Sequence, residues 1–217
     1  MSLSNFSQEL LILFTRFPQP GMAKTRLIPV LGEHGAADLQ RRMAAFMFER
    51  AQKIRTTKDV AVEVHYCGGD EGEVRSWVPT AFQLKVQCKG DLGKRLHHAT
   101  NTAFAEGRGK IVVIGSDCPS LTEEILEDAF QKLNHADVVI GPAHDGGYYL
   151  IGLRKSSDCL WKNISWGTEK VLRQTIGQAE AYGLSFLFLP PLADIDRPED
   201  LTELVNSANC SALVSDG

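Results

Sequence analysis

The sequence predicts an α/β fold, a single domain over residues 1–217 with one doubly wound, mostly parallel sheet and helices on both faces. Three observations carry that expectation. Runs such as Leu10–Phe14 and Ile111–Ile114 are apolar at every position, which suits strands buried on both faces, as in a parallel sheet. Stretches with apolar residues every three or four positions alternate with these runs, as βαβ units require. Turns rich in glycine and charge follow the strands, at the end of an open α/β sheet where ligands bind.

The composition leaves that reading open and closes others. The chain has 217 residues, long enough for a substantial core, with 43% hydrophobic and 23% charged residues. A formal net charge of −4 argues against a general nucleic-acid binder but not against a small anionic nucleotide in a local basic pocket. Cys67, Cys88, Cys118, Cys159 and Cys210 are scattered and form no C-x-x-C pair, which fits a reducing compartment. The first residues carry no basic stretch followed by an apolar one, and no run reaches membrane-spanning length. A cytoplasmic protein is expected.

Leu10–Phe14 is the first strand, and a loop with two prolines follows, carrying Arg16, Lys24 and Arg26. A helix is expected over about 33–54, with Ala36, Leu39, Met43, Met47, Ala51 and Ile54 on its apolar face. Val60–Tyr66 alternates as a strand, and a short polar helix lies near Glu73–Trp77. Phe82–Val86 is the next strand, followed by the turn Gly90-Asp91-Leu92-Gly93 and a helix through Ala99 and Ala103. After the strand at Ile111, Ser120-Leu-Thr-Glu123 has capping-box spacing for a helix bearing Ile125, Leu126, Ala129, Phe130 and Leu133. Strands follow at 136–142, from Tyr148, and at 184–189. A helix opens at Gly167-Thr168, and the last begins within 193–201. Residues beyond about 207 read as a frayed tail.

Several of these turns bear groups suited to chemistry. Asp117, just past the buried strand at 111–114, can hold a hard cation such as Mg²⁺, or simply accept backbone N–H groups in its turn. The loop at 18–27 is not a phosphate-binding P-loop: Pro18 and Ala23 stand where that motif needs glycine, and prolines remove N–H donors. Its cations suit phosphate groups all the same. Gly90 and Gly93 allow close backbone approach to a ligand, although Asp91 as an ordinary helix cap explains much of the turn. Asp145-Gly-Gly-Tyr148-Tyr149 sets a carboxylate beside aromatic rings, or is a tight turn ahead of core aromatics. Asp194 and Asp196 fall on one face, opposite Ile195, and Asp196 also has the spacing of a helix cap. The six histidines show no ligand spacing, and no G-x-S-x-G elbow supports a Ser–His–Asp triad.

Taken together, Phe17-Pro-Gln-Pro-Gly-Met-Ala-Lys-Thr-Arg-Leu27, Gln87-Cys-Lys-Gly-Asp-Leu-Gly-Lys-Arg-Leu96, Ile114-Gly-Ser-Asp-Cys-Pro119, Gly141-Pro-Ala-His-Asp-Gly-Gly-Tyr-Tyr-Leu150 and Asp196-Arg-Pro-Glu-Asp-Leu201 resemble a bacterial glycosyltransferase-like family. That family belongs to the nucleotide-diphospho-sugar transferase (GT-A) superfamily and is similar to the 2-phospho-lactate guanylyltransferases. The resemblance implies the GT-A fold and a nucleotide, either NTP or NDP-sugar, as partner to a small acceptor. It implies phosphates near Lys24, Thr25 and Arg26, base and ribose near Gln87, Gly90, Asp91, Gly93 and Arg95, and a nucleotide contact from Ser116. Mg²⁺ or Mn²⁺ would be held by Asp117 and Asp196, with Asp145 and Tyr148 facing the acceptor. The sequence departs from the pattern twice: the first loop is proline-rich, and only the final Asp of an Asp-x-Asp motif is present, Gly115 replacing the first.

Three reactions compete on that basis. In nucleotidylyl transfer an ionised acceptor phosphate needs alignment and charge neutralisation, for which Lys24, Arg26 and a metal suffice. Glycosyl transfer from an NDP-sugar needs a base for a hydroxyl, and Asp145 is the candidate. A magnesium-dependent phosphohydrolase would need no acceptor. A non-catalytic nucleotide-binding domain is the remaining alternative, against which the set Asp117, Asp145 and Asp196 argues. Nucleotidylyl transfer to a phosphorylated small acceptor is the preferred expectation.

Overall fold

The computed structural model describes residues 7–206, so the expected tail beyond about 207 lies outside the described residues. Among the described residues seven strands form one sheet in the order β3-β2-β1-β4-β6-β5-β7. These are β1 (Glu9–Arg16), β2 (Val60–Cys67), β3 (Gln83–Val86), β4 (Lys110–Gly115), β5 (Val138–Pro142), β6 (Tyr148–Leu153) and β7 (Phe186–Phe188). β6 runs antiparallel to both β4 and β5, while the other paired strands are parallel.

The continuous apolar runs sit where both faces are covered. Leu10 and Ile12 of β1 pack with Ile111 and Val113 of β4 beneath α3 (Leu92–Ala105) and α5 (Val171–Ala181). Leu11, Leu13, Val112 and Ile114 point the other way, against α1 (Ile28–Thr57) and α4 (Glu123–Lys132). Fully burying a side chain of this size contributes about 1.5–3 kcal/mol, and the eight alternate without exception. The helix expected from about residue 33 is the main run of α1; Gly32, at φ 69° and ψ 170°, breaks the helix there. The short α2 (Glu71–Trp77) is closed by a reciprocal Asp70–Glu73 capping box.

β2 is buried on its polar face too. Glu63 and His65 are tolerated there because the Glu63 carboxylate is hydrogen-bonded by His65 and paired with Lys85: His65 Nε2 is 2.9 Å and Lys85 Nζ 3.2 Å from it. Lys85 reaches on to Glu106 at the end of α3.

Three expected helix starts move. α4 is capped by Thr122, whose hydroxyl accepts from Ile125 N, and not by Ser120, because the chain at 120–121 turns inward to bury Leu121. α5 begins at Val171; Thr168 instead holds a turn, its hydroxyl donating to Ser165 O. The backbone N–H groups of Asp196 and Arg197 both donate to Asp200, so Asp196 does not cap the final helices, and its side chain lines the cleft instead.

The topology fixes where ligands can go. From β1 the chain moves outward through β2 and β3, then returns to β4 on the other side of β1. The carboxyl ends of β1 and β4 therefore flank a topological switch point, where α/β sheets open a crevice. Because β6 is reversed, its first residue, Tyr148, lies at that same edge. After β7 the chain crosses back over the edge: Leu192 N donates to Pro142 O, and Ile195 N to Asp117 O at 2.8 Å.

Candidate active site

A cleft of about 740 Å³ opens at the switch point. Its lining comes from the end of β1 with the loop after it, the residues following β4, the start of β6, the start of α3, and the returning segment at 194–196.

The loop after β1 brings its cations inward. Ala23 and Leu27 are buried and anchor it, while Lys24 adopts a left-handed backbone at φ 48° and ψ 46°. A long side chain in that region is strained and persists only where its surroundings hold it. Here they do. The Lys24 side chain is only 4% exposed; its Nζ donates to Ile195 O at 2.5 Å and stands 3.2 Å from Asp117 and 3.9 Å from Asp196. Arg26 is exposed and bonds the other oxygen of Asp196. Arg16 lines the same wall.

Across the cleft stand carboxylates. Ile195 is buried with Leu27, Ala36, Met43 and Leu204, and Asp194 and Asp196 on either side of it both line the cleft, as the alternation requires. The Asp194 carboxyl is pushed up to about 6, first by burial and then by the charges of Asp145 and Asp117, against the opposing Lys24. Burial, then the charges of Asp194 and Asp117, push the neighbouring Cys118 thiol up to about 12, so it stays protonated. Asp145, the base expected for glycosyl transfer, spends one oxygen on Gly147 N at 2.8 Å, closing its turn, and is exposed outside the cleft lining.

The remaining candidates separate into two groups. Thr25, Gln87, Arg95, Ser116 and Tyr148 all line the cleft. Gln87 donates to Thr15 O and His65 O at the strand ends and accepts from Arg95, so it sets the Arg95 guanidinium at the cleft wall. Gly90, Asp91 and Gly93 do not belong to the lining. Asp91 caps α3 by accepting from Lys94 N. Gly93 answers to a different neighbour from the ligand expected of it: a Cβ there would sit 2.3 Å from Trp166 Nε1. Trp166 in turn meets Tyr148 edge-on and stacks with Trp161.

Arg16 and Asp194, both read from the sequence, line the cleft, and so does Gln40, which no motif brought there. Gln40 is a polar residue on the apolar face of α1, spaced with Ala36, Met43 and Met47, and that mismatch is its signal in the sequence.

The donor chemistry fits a hard divalent cation. Asp117, Asp194 and Asp196 offer only carboxylate oxygen, and Asp194, raised by burial and then by the charges of Asp145 and Asp117, would be relieved by added positive charge. Among the described residues no three His, Cys, Asp or Glu stand close enough to enclose an ion by themselves. Magnesium is commonly held by one or two carboxylates together with substrate phosphates, and that is the arrangement these residues suit.

A family model described as "Uncharacterized protein conserved in bacteria (DUF2064)" matches residues 47–168, a span that includes Gln87, Arg95, Asp117 and Asp145. A 2-phospho-L-lactate guanylyltransferase of Methanocaldococcus vulcanius is 30% identical over 123 residues, covering 56% of each chain. The match thus spans little more than half the length of such curated relatives. Among solved structures, a Desulfovibrio desulfuricans G20 protein provisionally named a nucleotide-diphospho-sugar transferase has a TM-score of 0.85 and 30% identity, covering 96% of this chain and 94% of that one. A manganese complex from Mycobacterium tuberculosis H37Rv shares the fold at a TM-score of 0.56 and 12% identity, covering 92% of this chain and 100% of that one. No helix among the described residues is long and apolar enough to cross a membrane.

Proposed function

Because the chain belongs to the DUF2064 family of bacterial proteins, with a nucleotide-diphospho-sugar transferase fold, we propose that it is a metal-dependent nucleotidylyltransferase acting on an NTP and a small phosphorylated acceptor. One observation carries the reading: Lys24 and Arg26 meet the Asp117 and Asp196 carboxylates in ion pairs within the switch-point cleft, which Arg16 also lines. The guanylyltransferase relatives support the reaction class, and guanine is the first base to test.

In this reading an oxygen of the acceptor phosphate attacks the α-phosphorus of the NTP, and the bond to pyrophosphate breaks. The nucleophile is already ionised, so alignment and charge neutralisation are the main needs. Lys24 and Arg26 leave their carboxylate partners for the triphosphate, and the ion pairs of the free protein keep both cations in place until it arrives. Gln87 holds Arg95 beside the nucleoside. Asp117, with Asp194 or Asp196, would hold Mg²⁺ or Mn²⁺; such an ion neutralises phosphate charge when bound. The manganese complex among the fold relatives supports that choice of metal.

A second reading, glycosyl transfer from an NDP-sugar, is favoured by one feature. Asp194, held near 6, suits a base for an acceptor hydroxyl, with Asp145 beside it.

A thermal-shift screen of four NTPs and a panel of NDP-sugars, with and without Mg²⁺, tests both. The expected result is Mg²⁺-dependent stabilisation by one NTP, GTP first, because a ligand that binds only the native state raises its stability. Preference for an NDP-sugar selects glycosyl transfer. Silence toward every nucleotide overturns both.

A further inference from the structure

In the wall of the cleft runs a mostly buried polar chain, Gln40, Thr15 and Ser116, to which the proposed chemistry gives no role. Gln40 is 3% exposed in α1. A buried amide is tolerated only where hydrogen bonds replace its lost water. Gln40 Nε2 lies 3.0 Å from Ser116 Oγ and 3.2 Å from Thr15 Oγ1, and 3.4 Å from Arg16 O. Thr15 Oγ1 is 3.1 Å from Ser116 Oγ, and Ser116 Oγ is 3.1 Å from Asp117 Oδ1.

The donor inventory gives this chain a direction. An amide nitrogen only donates, a hydroxyl has one proton and two lone pairs, and an ionised carboxylate only accepts. Gln40 and Thr15 both donate to Ser116 Oγ and fill its lone pairs. The one Ser116 proton is then left for Asp117 Oδ1. With Oδ1 held, Oδ2 is the oxygen turned toward Lys24, at 3.2 Å.

We propose that Gln40 is a positioning residue: acting through Ser116, it fixes which oxygen of Asp117 faces the metal and the phosphates. This rests on the reading of Asp117 as a metal ligand. It also ties the seating of α1 to the ends of β1 and β4, since Gln40, Thr15 and Ser116 belong to those three places.

The test is Mn²⁺ binding in the presence of GTP, by titration calorimetry, with a melting temperature for each variant. Gln40→Leu is expected to weaken Mn²⁺ about tenfold, the lower end for partners that orient a metal ligand. Gln40→Glu should weaken it further, because an acceptor there competes for the Ser116 proton. Gln40→Leu combined with Ser116→Ala should bind no worse than Ser116→Ala alone, since the effect passes through Ser116. If Gln40→Leu does not fold, Thr15→Val, which removes the other donor to Ser116, carries the same expectation. Mn²⁺ affinity within about twofold of wild type, whatever the melting temperature, overturns the positioning role, as does additivity in the double variant. Failure of the unsubstituted protein to bind Mn²⁺ with GTP overturns the metal reading itself.

Discussion

Lys24→Met separates the phosphate-binding role of the β1 loop from its structural one. Methionine keeps much of the buried stem and removes only the charge. Without nucleotide, Ile195 O loses its donor, while Asp117 and Asp196, 45% and 36% exposed at the side chain, can rehydrate. The stability lost is then about 1–3 kcal/mol, the penalty of one orphaned buried acceptor. With nucleotide the variant lacks a charge-assisted bond worth about 2 kcal/mol, so the dissociation constant rises about 30-fold. Nucleotide at about 100 times the wild-type constant stabilises wild type by about 2.7 kcal/mol; the same concentration is about three times the variant's constant and gives about 0.8 kcal/mol. For a chain of this size 1 kcal/mol shifts the melting temperature about 2–4 °C. The shift with Mg²⁺ and GTP should therefore shrink from about 5–11 °C to about 2–3 °C, each measured from its own ligand-free value. Guanosine, which has no phosphates, should shift both proteins equally. An undiminished GTP shift, or an equal loss with guanosine, would falsify the placement of phosphates at Lys24.

Three further outcomes follow from named contacts. Asp117→Asn should keep the Ser116 hydrogen bond and the fold but lose the Mg²⁺-dependent part of nucleotide binding, at least about tenfold by calorimetry; an unchanged Mg²⁺ response removes Asp117 from the metal site. Glu63→Gln should destabilise the protein by about 3 kcal/mol in urea, because it leaves His65 and Lys85 without the buried carboxylate between them. The Glu63 carboxyl is held below the ordinary range: burial opposes ionisation, but the His65 hydrogen bond and the Lys85 charge outweigh it. Its stabilisation is therefore complete above the usual 4.5 and is lost as pH falls toward the lowered value, so the variant should show a flatter acid limb. Equal acid limbs would sink that assignment. Gly93→Ala must displace the Trp166 ring and should cost about 1–3 kcal/mol with a change in tryptophan fluorescence; a neutral substitution with unaltered fluorescence would show that the ring is not seated on the helix.

The strands were legible because their sequences satisfy a constraint that holds at every position. Leu10–Phe14 and Ile111–Ile114 admit no polar face, so a doubly covered, mostly parallel sheet is nearly the only place for them. The reversal of β6 was legible only in the turn that precedes it, not in the strand itself. Nothing in Tyr148–Leu153 differs locally from a buried parallel strand; direction is set by the short turn from β5, too short for a crossover. Helix starts failed where several hydroxyls competed. Ser120 and Thr122 are both able to cap, and burial of Leu121 decided between them, a tertiary effect without local trace.

The site divides by the range of its contacts. Asp117 could be found because it follows a buried strand, and Lys24 because cations cluster in its loop. Their meeting at 3.2 Å depends on the segment at 194–196 crossing the sheet edge, held by Ile195 through one hydrogen bond to Asp117 O and another from Lys24. Alternation put Asp194 and Asp196 on one side of Ile195 but could not say which would pair with a cation. Arg26 and Lys24, from a loop some 170 residues earlier in the chain, pair with Asp196, while burial first, and then the charges of Asp145 and Asp117, push the Asp194 carboxyl up to about 6. Gly93 teaches the converse. Its small size looks like room for a ligand in the sequence, and the space is taken by Trp166. A glycine records only that something approaches closely, and whether that neighbour is a substrate or the chain itself is decided by the fold.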